Sequence, residues 1–241
     1  AERGMTQAQV TAKFGSPEQQ RRWLVPMAAG KTTLTAALID ARSSDPARPA
    51  TAARRNGTSW VLEGEKRFVP AAALAERILV PATTEEGVVV FLVPPSAPGV
   101  TLTPHETSPG EPLYSRELAG VRLAREDVLG EDRRKPESAS WLHERAVVAV
   151  CATQLGVSER ALEITSAYVR ERQAFGGPLS DKQVVRHKLA DLATLIEAGR
   201  QLTYAACQRY AEGGEAVREV SMVKLFTAEM ANRVAYDCVQ L

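Results

Sequence analysis

Three cysteines are spread through 241 residues, Cys151, Cys207 and Cys238, with no C-x-x-C pair among them. That spacing argues against a disulfide framework and against a zinc site, and a reducing, cytoplasmic setting is expected. Histidines are as scarce: His105, His143 and His187 include no two at metal-ligand spacing. Charge of one sign is missing too. Thirty basic residues against twenty-nine acidic ones give a net charge of +1, which offers no field for nucleic acid or an anionic membrane. No window approaches about eighteen uninterrupted apolar residues, and "AERGMTQAQV" lacks the apolar core of a leader peptide, so neither a membrane span nor a signal is expected.

What is present is enough apolar content, 44%, to build the core of one large domain or two smaller ones. The chain has three textures. "QAQVTAKFGSPEQQRRWLVPMAAG" predicts two short helices, the second opened by Ser16 as N-cap, with Pro17 and Glu18 behind it. From about Thr32 to Gly130 the helical period gives way to short β-rich runs, "SWVLEG", "KRFV", "RILVPA", "GVVVFLV" and "GVTLTP". Asn56-Gly57, Glu63-Gly64 and Pro98-Gly99 read as turns between them. A small antiparallel sandwich or barrel is expected. After a charged linker, Glu131–Ser138, come three helical patterns, roughly Ser140–Gln173, Asp181–Gly213 and Ala216–Leu241. In the second, Val185, Leu189, Leu192, Ile196 and Gly199 recur at three and four; Val220, Val223, Met230, Val234 and Cys238 nearly repeat this in the third. Long helices joined by short breaks predict an antiparallel bundle. The fold class is therefore α+β. The domain boundaries are the end of a helical region at 1–31, a middle β-domain at 32–135 and a helical bundle at 136–241.

"AAGKTT" imitates the end of a phosphate-binding loop. The motif needs a glycine five residues before Gly30, where Val25 stands, and Pro26 has no N–H to offer. Glu144 is more informative. It lies within a helical stripe of Trp141, Val148, Cys151 and Leu155, with no basic residue three or four positions away. Two readings stand: an acid near a helix start serving the dipole, or a carboxylate against apolar surface, where desolvation favours general-base behaviour. A capping box is excluded because position 141 is Trp. Ser44 sits in the polar turn "DARSSDPARP" without a nucleophile-elbow context. Arg172, Phe175 and Gln183 surround a Phe-Gly-Gly-Pro break, which by itself is a helix end with a cation on the dipole and an apolar anchor.

The segment "YVRERQAFGGPLSDKQVVRHKLADL" resembles one in acyl-CoA dehydrogenases, Y-x-x-x-R-x-x-F-G-x-x-x-x-x-x-Q followed by L-A-D, through Tyr168, Arg172, Phe175, Gly176, Gln183 and Leu189-Ala190-Asp191. "FGSPEQQRRWLVPMAAG", "LEGEKRFV" and "RELAGVRLAREDVLG" resemble the entry, one strand and the exit of that family's middle domain, and "EAGRQLTYAAC" and "MVKLFTAEMANRVAYDCVQL" its later helices. The family has further helices before the first of these segments and continues after the last into a Gly-Gly-x-Gly turn and a final helix pair.

The resemblance implies an FAD-dependent oxidoreductase that desaturates acyl-CoA thioesters, passes electrons to an acceptor protein and works as a homo- or hetero-oligomer, a dimer or tetramer. It implies that Arg172, Phe175, Gln183 and Gln240 reach the adenosine diphosphate half of a neighbour's FAD. Glu144-Arg145 matches a Glu-Arg pair that carries the base in isovaleryl-type members, which makes Glu144 the expected base and Arg145 a substrate-side residue, with Ser44 beside it. Departures fall in the flavin-contacting segments. T-E-P-x-x-G-S-D is "IDARSSD" here, with Ile39 for Thr, and W-I-T-N is "FVPA", with Phe68 for Trp and Pro70 for Thr. Ile39 and Pro70 bring no hydroxyl, and Pro70 no backbone N–H. The alternative implied is a catalytically reduced partner subunit that completes a neighbour's FAD site.

Overall fold

The computed structural model describes residues 5–43, 45–130 and 137–241; most of the charged linker, Glu131–Pro136, and Ser44 lie outside them. The chain divides into two compact units, 1–143 and 144–241, with the division falling inside one long helix.

The first unit opens with α1 (Met5–Phe14) and α2 (Pro17–Ala28). Ser16 caps α2 as expected, and the cap is a full box: its hydroxyl accepts from Gln19 N–H while Gln19 Oε1 accepts from Ser16 N–H. Gln19 does more, since its amide also donates to the carbonyls of Glu126 and Val128 and its oxygen accepts from Gly130 N–H, tying α2 to the sheet's exit.

The strands are β1 (Leu34–Ala36), β2 (Ile39–Asp40), β3 (Ala52–Asn56), β4 (Ser59–Pro70), β5 (Arg77–Thr84), β6 (Gly87–Val93), β7 (Val100–His105) and β8 (Leu113–Leu123). They form one curled sheet in the order β1-β5-β3-β4-β8-β7, with β6 on β5 and β2 on β4. Pairing is antiparallel except where β5 meets β1 and, at one residue pair, β3. "RILVPA" and "GVVVFLV" are continuous apolar runs because both faces of β5 and β6 are covered. Ile78, Val80, Val89, Phe91 and Val93 fill the inner face of the curl; Leu79, Val90 and Leu92 face a second core with Val10, Phe14, Trp23 and Leu142.

One expectation for the sheet is corrected, and one strand carried no expectation. Glu63-Gly64 is no turn: β4 runs straight through it with a shift of register, and a Cβ on Gly64 would lie 2.8 Å from the Thr51 Cα. Close approach of Thr51, the residue before β3, not chain reversal, is what requires glycine there. "AARRN" forms β3 although alanine and arginine carry no strand signal, because the Asn56-Gly57 turn folds it back on β4.

The buried chemistry of this unit is ionic. Ile39 faces out of β2, so Asp40 faces in. Lys66 Nζ donates to Asp40 Oδ2 at 2.6 Å and to the Pro81 carbonyl at 2.9 Å, while Asp40 Oδ1 accepts from Thr51 N–H and its hydroxyl. Burial lowers the Lys66 pKa, opposed by the bond to Asp40.

The helices are α3 (Glu137–Glu171), α4 (Gln183–Ala211) and α5 (Val217–Gln240), each within a few residues of its expected range. From Glu144 onward they make the second unit. Leu155, Leu192, Ile196, Met230 and Val234 form one buried cluster, and Cys151, Ala206, Val220 and Val223 another, so the three-and-four periodicities face one another. Between α3 and α4 the strands β9 (Gln173–Ala174) and β10 (Gly177–Pro178) make a miniature hairpin.

Candidate functional site

Glu144 is the eighth residue of α3, two turns beyond its start, so service to the helix dipole in the first turn is ruled out as its role. The uninterrupted apolar stripe is also corrected. Trp141 packs edge-on against Phe14 with ring centroids 5.5 Å apart, in the first unit's core, whereas Val148 and Cys151 belong to the bundle's. Glu144 stands where that stripe changes partner. Its side chain is 21% exposed and has polar company: the Tyr210 hydroxyl donates to Oε2 at 2.6 Å, and Arg145 Nη1 is 3.7 Å from the same oxygen. The Arg145 guanidinium lies 3.8 Å over the Tyr210 ring. A carboxylate held by one oxygen, with a guanidinium beside it, is equipped to accept a proton.

Arg172, Phe175 and Gln183 share the α3–α4 corner. Phe175 and Gly176 are the two turn residues of the β9–β10 hairpin and both have positive φ, 54° and 83°. Two positive values suit the tight turn, but for a phenylalanine the conformation is strained. Lys182 Nζ clamps the Phe175 carbonyl at 2.8 Å, and Leu179 N–H donates to the Arg172 carbonyl. The turn thus holds a phenyl ring 87% exposed, with Arg172 and Gln183 exposed beside it. Gln240 is exposed at the end of α5.

On the first unit, Ile39 is 40% exposed on β2. Phe68 sits in a second irregularity of β4, between Lys66 and Val69, with φ 52° and 53% exposure. Among the described residues only Phe68, Ala71 and Phe175 are non-glycine residues at positive φ, so two of the three strained positions are expected site residues. Phe68 leans on the His105 ring at 5.5 Å, and His105 Nε2 is 2.9 Å from Ser115 Oγ. The Pro70 carbonyl accepts from Thr35 Oγ1 at 2.6 Å. Beyond β2 and β4 a groove of about 600 Å³ is lined by Arg42, Gly64, Glu65, Thr103, Ser115 and Glu117.

The imitation phosphate loop is spent on ending α2: Gly30 N–H donates to the Met27 carbonyl and Lys31 N–H to that of Pro26. No cluster of metal-ligating side chains occurs among the described residues, and Cys151, Cys207 and Cys238 are free thiols.

The acyl-CoA dehydrogenase middle-domain model matches residues 39–119, and that family's C-terminal-domain model matches residues 139–241. The chain belongs to the acyl-CoA dehydrogenase family. The mitochondrial short-chain specific acyl-CoA dehydrogenase of Homo sapiens is 31% identical over 95% of the chain and 58% of its own length. A glutaryl-CoA dehydrogenase of Mycobacterium smegmatis, solved in complex with FADH2, superposes with a TM-score of 0.88 at 28% identity, over 96% of the chain and 61% of that protein. The ChsE4-ChsE5 complex of Mycobacterium tuberculosis gives 0.89 at 32% identity, over 98% and 62%. The chain therefore spans about three-fifths of the length of these relatives.

Within this acyl-CoA dehydrogenase fold, sequence reasoning missed Tyr210. It lies sixty-six residues from Glu144 on another helix, beyond the reach of any three-and-four spacing argument. The αL backbones of Phe68 and Phe175 had no signal either, beyond the glycine that follows Phe175.

Proposed function

We propose that the chain is part of an FAD-dependent acyl-CoA dehydrogenase that removes two hydrogens across the α,β bond of an acyl thioester, with Glu144 as the base. The observation that carries this reading is the Glu144 carboxylate, anchored through Oε2 and paired with Arg145. Glu144 takes the proton α to the thioester carbonyl; Arg145, stacked on Tyr210, keeps a positive charge beside the acyl group's developing negative charge. Ser44, a substrate-binding residue by the family resemblance, lies outside the described residues. Bound FAD supplies the acceptor for the hydride that leaves the β-carbon.

The residues of the α3–α4 corner fit the adenosine diphosphate half of that cofactor. An exposed guanidinium suits a diphosphate, an exposed phenyl face suits adenine, and Gln183 and Gln240 bring amide donors and acceptors. Exposure of the whole set fits a neighbouring subunit's cofactor, so a dimer or tetramer, homo- or heteromeric, follows, with an electron-transfer protein as the acceptor.

A second reading rests on the first unit. Ile39 and Phe68 offer apolar surface to a flavin ring, Pro70 has no N–H and its carbonyl is already engaged. These three positions bring no side-chain donor for the ring's polar edge, which favours a partner subunit that completes another chain's flavin site and holds FAD poorly itself.

Single-turnover bleaching of flavin by saturated acyl-CoA thioesters, in the assembly that binds FAD, tests the first reading. Glu144→Gln should leave folding and FAD content intact and slow bleaching by roughly 10² to 10⁴-fold, the usual weight of a general base. Bleaching at the unmutated rate would make Glu144 a structural acid. The second reading is tested by dialysing the isolated chain: a stoichiometric flavin absorbance band that survives would sink it.

A further inference from the structure

Tyr210 is the one residue of the Glu144 cluster to which the family resemblance assigns no part. It is the second-last residue of α4, its ring is covered on one side by the Arg145 guanidinium at 3.8 Å, and its hydroxyl makes a 2.6 Å bond to Glu144 Oε2. Arg145 Nη1 approaches the same Oε2, so both polar partners of the carboxylate converge on one oxygen. Oε1 receives no hydrogen bond from the described residues.

We infer that Tyr210 is a positioning residue: it fixes the Glu144 carboxylate through Oε2 so that Oε1 is the atom presented to the α-proton of the substrate. The inference rests on the reading of Glu144 as the base. Three features make the arrangement suited to the task. A phenol is rigid beyond two torsions, so the hydroxyl's place is set by the packing of α4 rather than by a flexible stem. Arg145 stacked on the ring restrains that ring in turn, and the same guanidinium compensates the carboxylate's charge. Tyr210 also stays a donor across the working range, because burial and then the bond to Glu144 raise its pKa far above the ordinary value of 10.0. When Glu144 takes the proton on Oε1, the phenol bond to Oε2 persists, so no rearrangement accompanies the transfer.

The test uses the flavin-loaded assembly with Tyr210→Phe, which keeps the ring under Arg145 and removes only the hydroxyl. kcat is expected to fall roughly 10- to 100-fold, the range of a hydrogen bond to a charged group, with KM within about two-fold of the unmutated value. The isotope effect on α-deuterated acyl-CoA should rise as proton abstraction becomes more limiting. Unchanged kcat and isotope effect in Tyr210→Phe, with Glu144→Gln inactive, would overturn the positioning role and leave the base assignment standing. Activity in Glu144→Gln would remove the base and the inference together.

A second measurement needs neither turnover nor cofactor. In an alkaline absorbance titration of the chain's five tyrosines, the late-ionising phenol should be missing from Tyr210→Phe and should move to lower pH in Glu144→Gln. A phenol indifferent to Glu144→Gln overturns the contact, and this arm decides the matter if Tyr210→Phe does not fold. The sign for stability follows from the same shift. The raised pKa stabilises the fold fully below pH 10.0, and that contribution is lost as pH climbs above it.

Discussion

Under the proposed reading, the two units would offer a flavin cofactor different surfaces. On the bundle, the corner of Arg172, Phe175 and Gln183 is exposed, and its hairpin turn is held in a strained conformation by a lysine clamp. On the sheet, the corresponding surface keeps an aromatic ring at Phe68 but has an alkyl group at Ile39 and a ring nitrogen at Pro70 where polar donors would serve a flavin edge. The scaffold beneath is fully bonded. Directly under Ile39, Asp40 holds Lys66 in a dry ion pair with every Asp40 oxygen satisfied. Under the proposed reading, the positions short of donors are those that would touch a cofactor, while the groups that hold the sheet together are in place.

The sharpest way to separate the two is to break the scaffold. Lys66→Met leaves the Asp40 carboxylate buried with only Thr51 as donor, and an uncompensated buried charge costs about 3–5 kcal/mol. Thermal unfolding should show that loss in the transition reported by the β-rich unit. The Asp40→Leu, Lys66→Met double variant should recover most of it, since replacing both partners removes the orphaned charge. A single variant as stable as the unmutated chain would mean that Asp40 finds water in solution and that the pair is no scaffold.

A smaller effect tests the bundle corner. At Phe175 glycine adopts the positive φ without penalty, so Phe175→Gly should relieve part of a strain worth about 1–3 kcal/mol and raise the stability of the chain. The same change removes the exposed ring, so FAD should bind the assembly less tightly. Opposite signs in the two measurements are the signature of strain kept for binding. If the variant is destabilised and holds FAD unchanged, the phenyl ring is an ordinary structural anchor.

Much of this contrast was legible in the sequence, for identifiable reasons. Helices α3, α4 and α5 announce themselves because their buried residues recur at three and four, and Arg172, Phe175, Gln183 and Glu144 stand out because they keep a fixed order along the chain. Where meaning depends on a distant neighbour, the sequence is silent. Glu63-Gly64 has the composition of a turn and becomes a strand irregularity only because Thr51 passes within touching distance. β3 has no strand composition and exists through its pairing with β4. Tyr210 looks like any tyrosine on an amphipathic helix until α4 brings it to Glu144. The substitutions at Ile39 and Pro70 were visible, whereas the engaged Pro70 carbonyl was not.

The finest probe restores what the sheet lacks. Ile39 is partly exposed on a two-residue strand and packs in no buried cluster, so a threonine there gives up little apolar burial and keeps the β-branched shape that strands favour. Its hydroxyl adds one donor opposite Arg67, the residue before Phe68 on β4. A neutral hydrogen bond contributes about 0.5–1.5 kcal/mol, so Ile39→Thr should tighten FAD retention by the isolated chain by roughly 2- to 12-fold. Stability should change by less than about 0.5 kcal/mol, as for surface substitutions generally. Equilibrium dialysis against FAD, followed by flavin absorbance, reads the difference. Tighter binding would mean that the sheet lost its flavin contacts at the surface only, in line with the intact Asp40–Lys66 pair beneath. No change in binding, with stability preserved, would place the obstacle at Pro70, where the missing backbone N–H cannot be replaced by any side chain on β2.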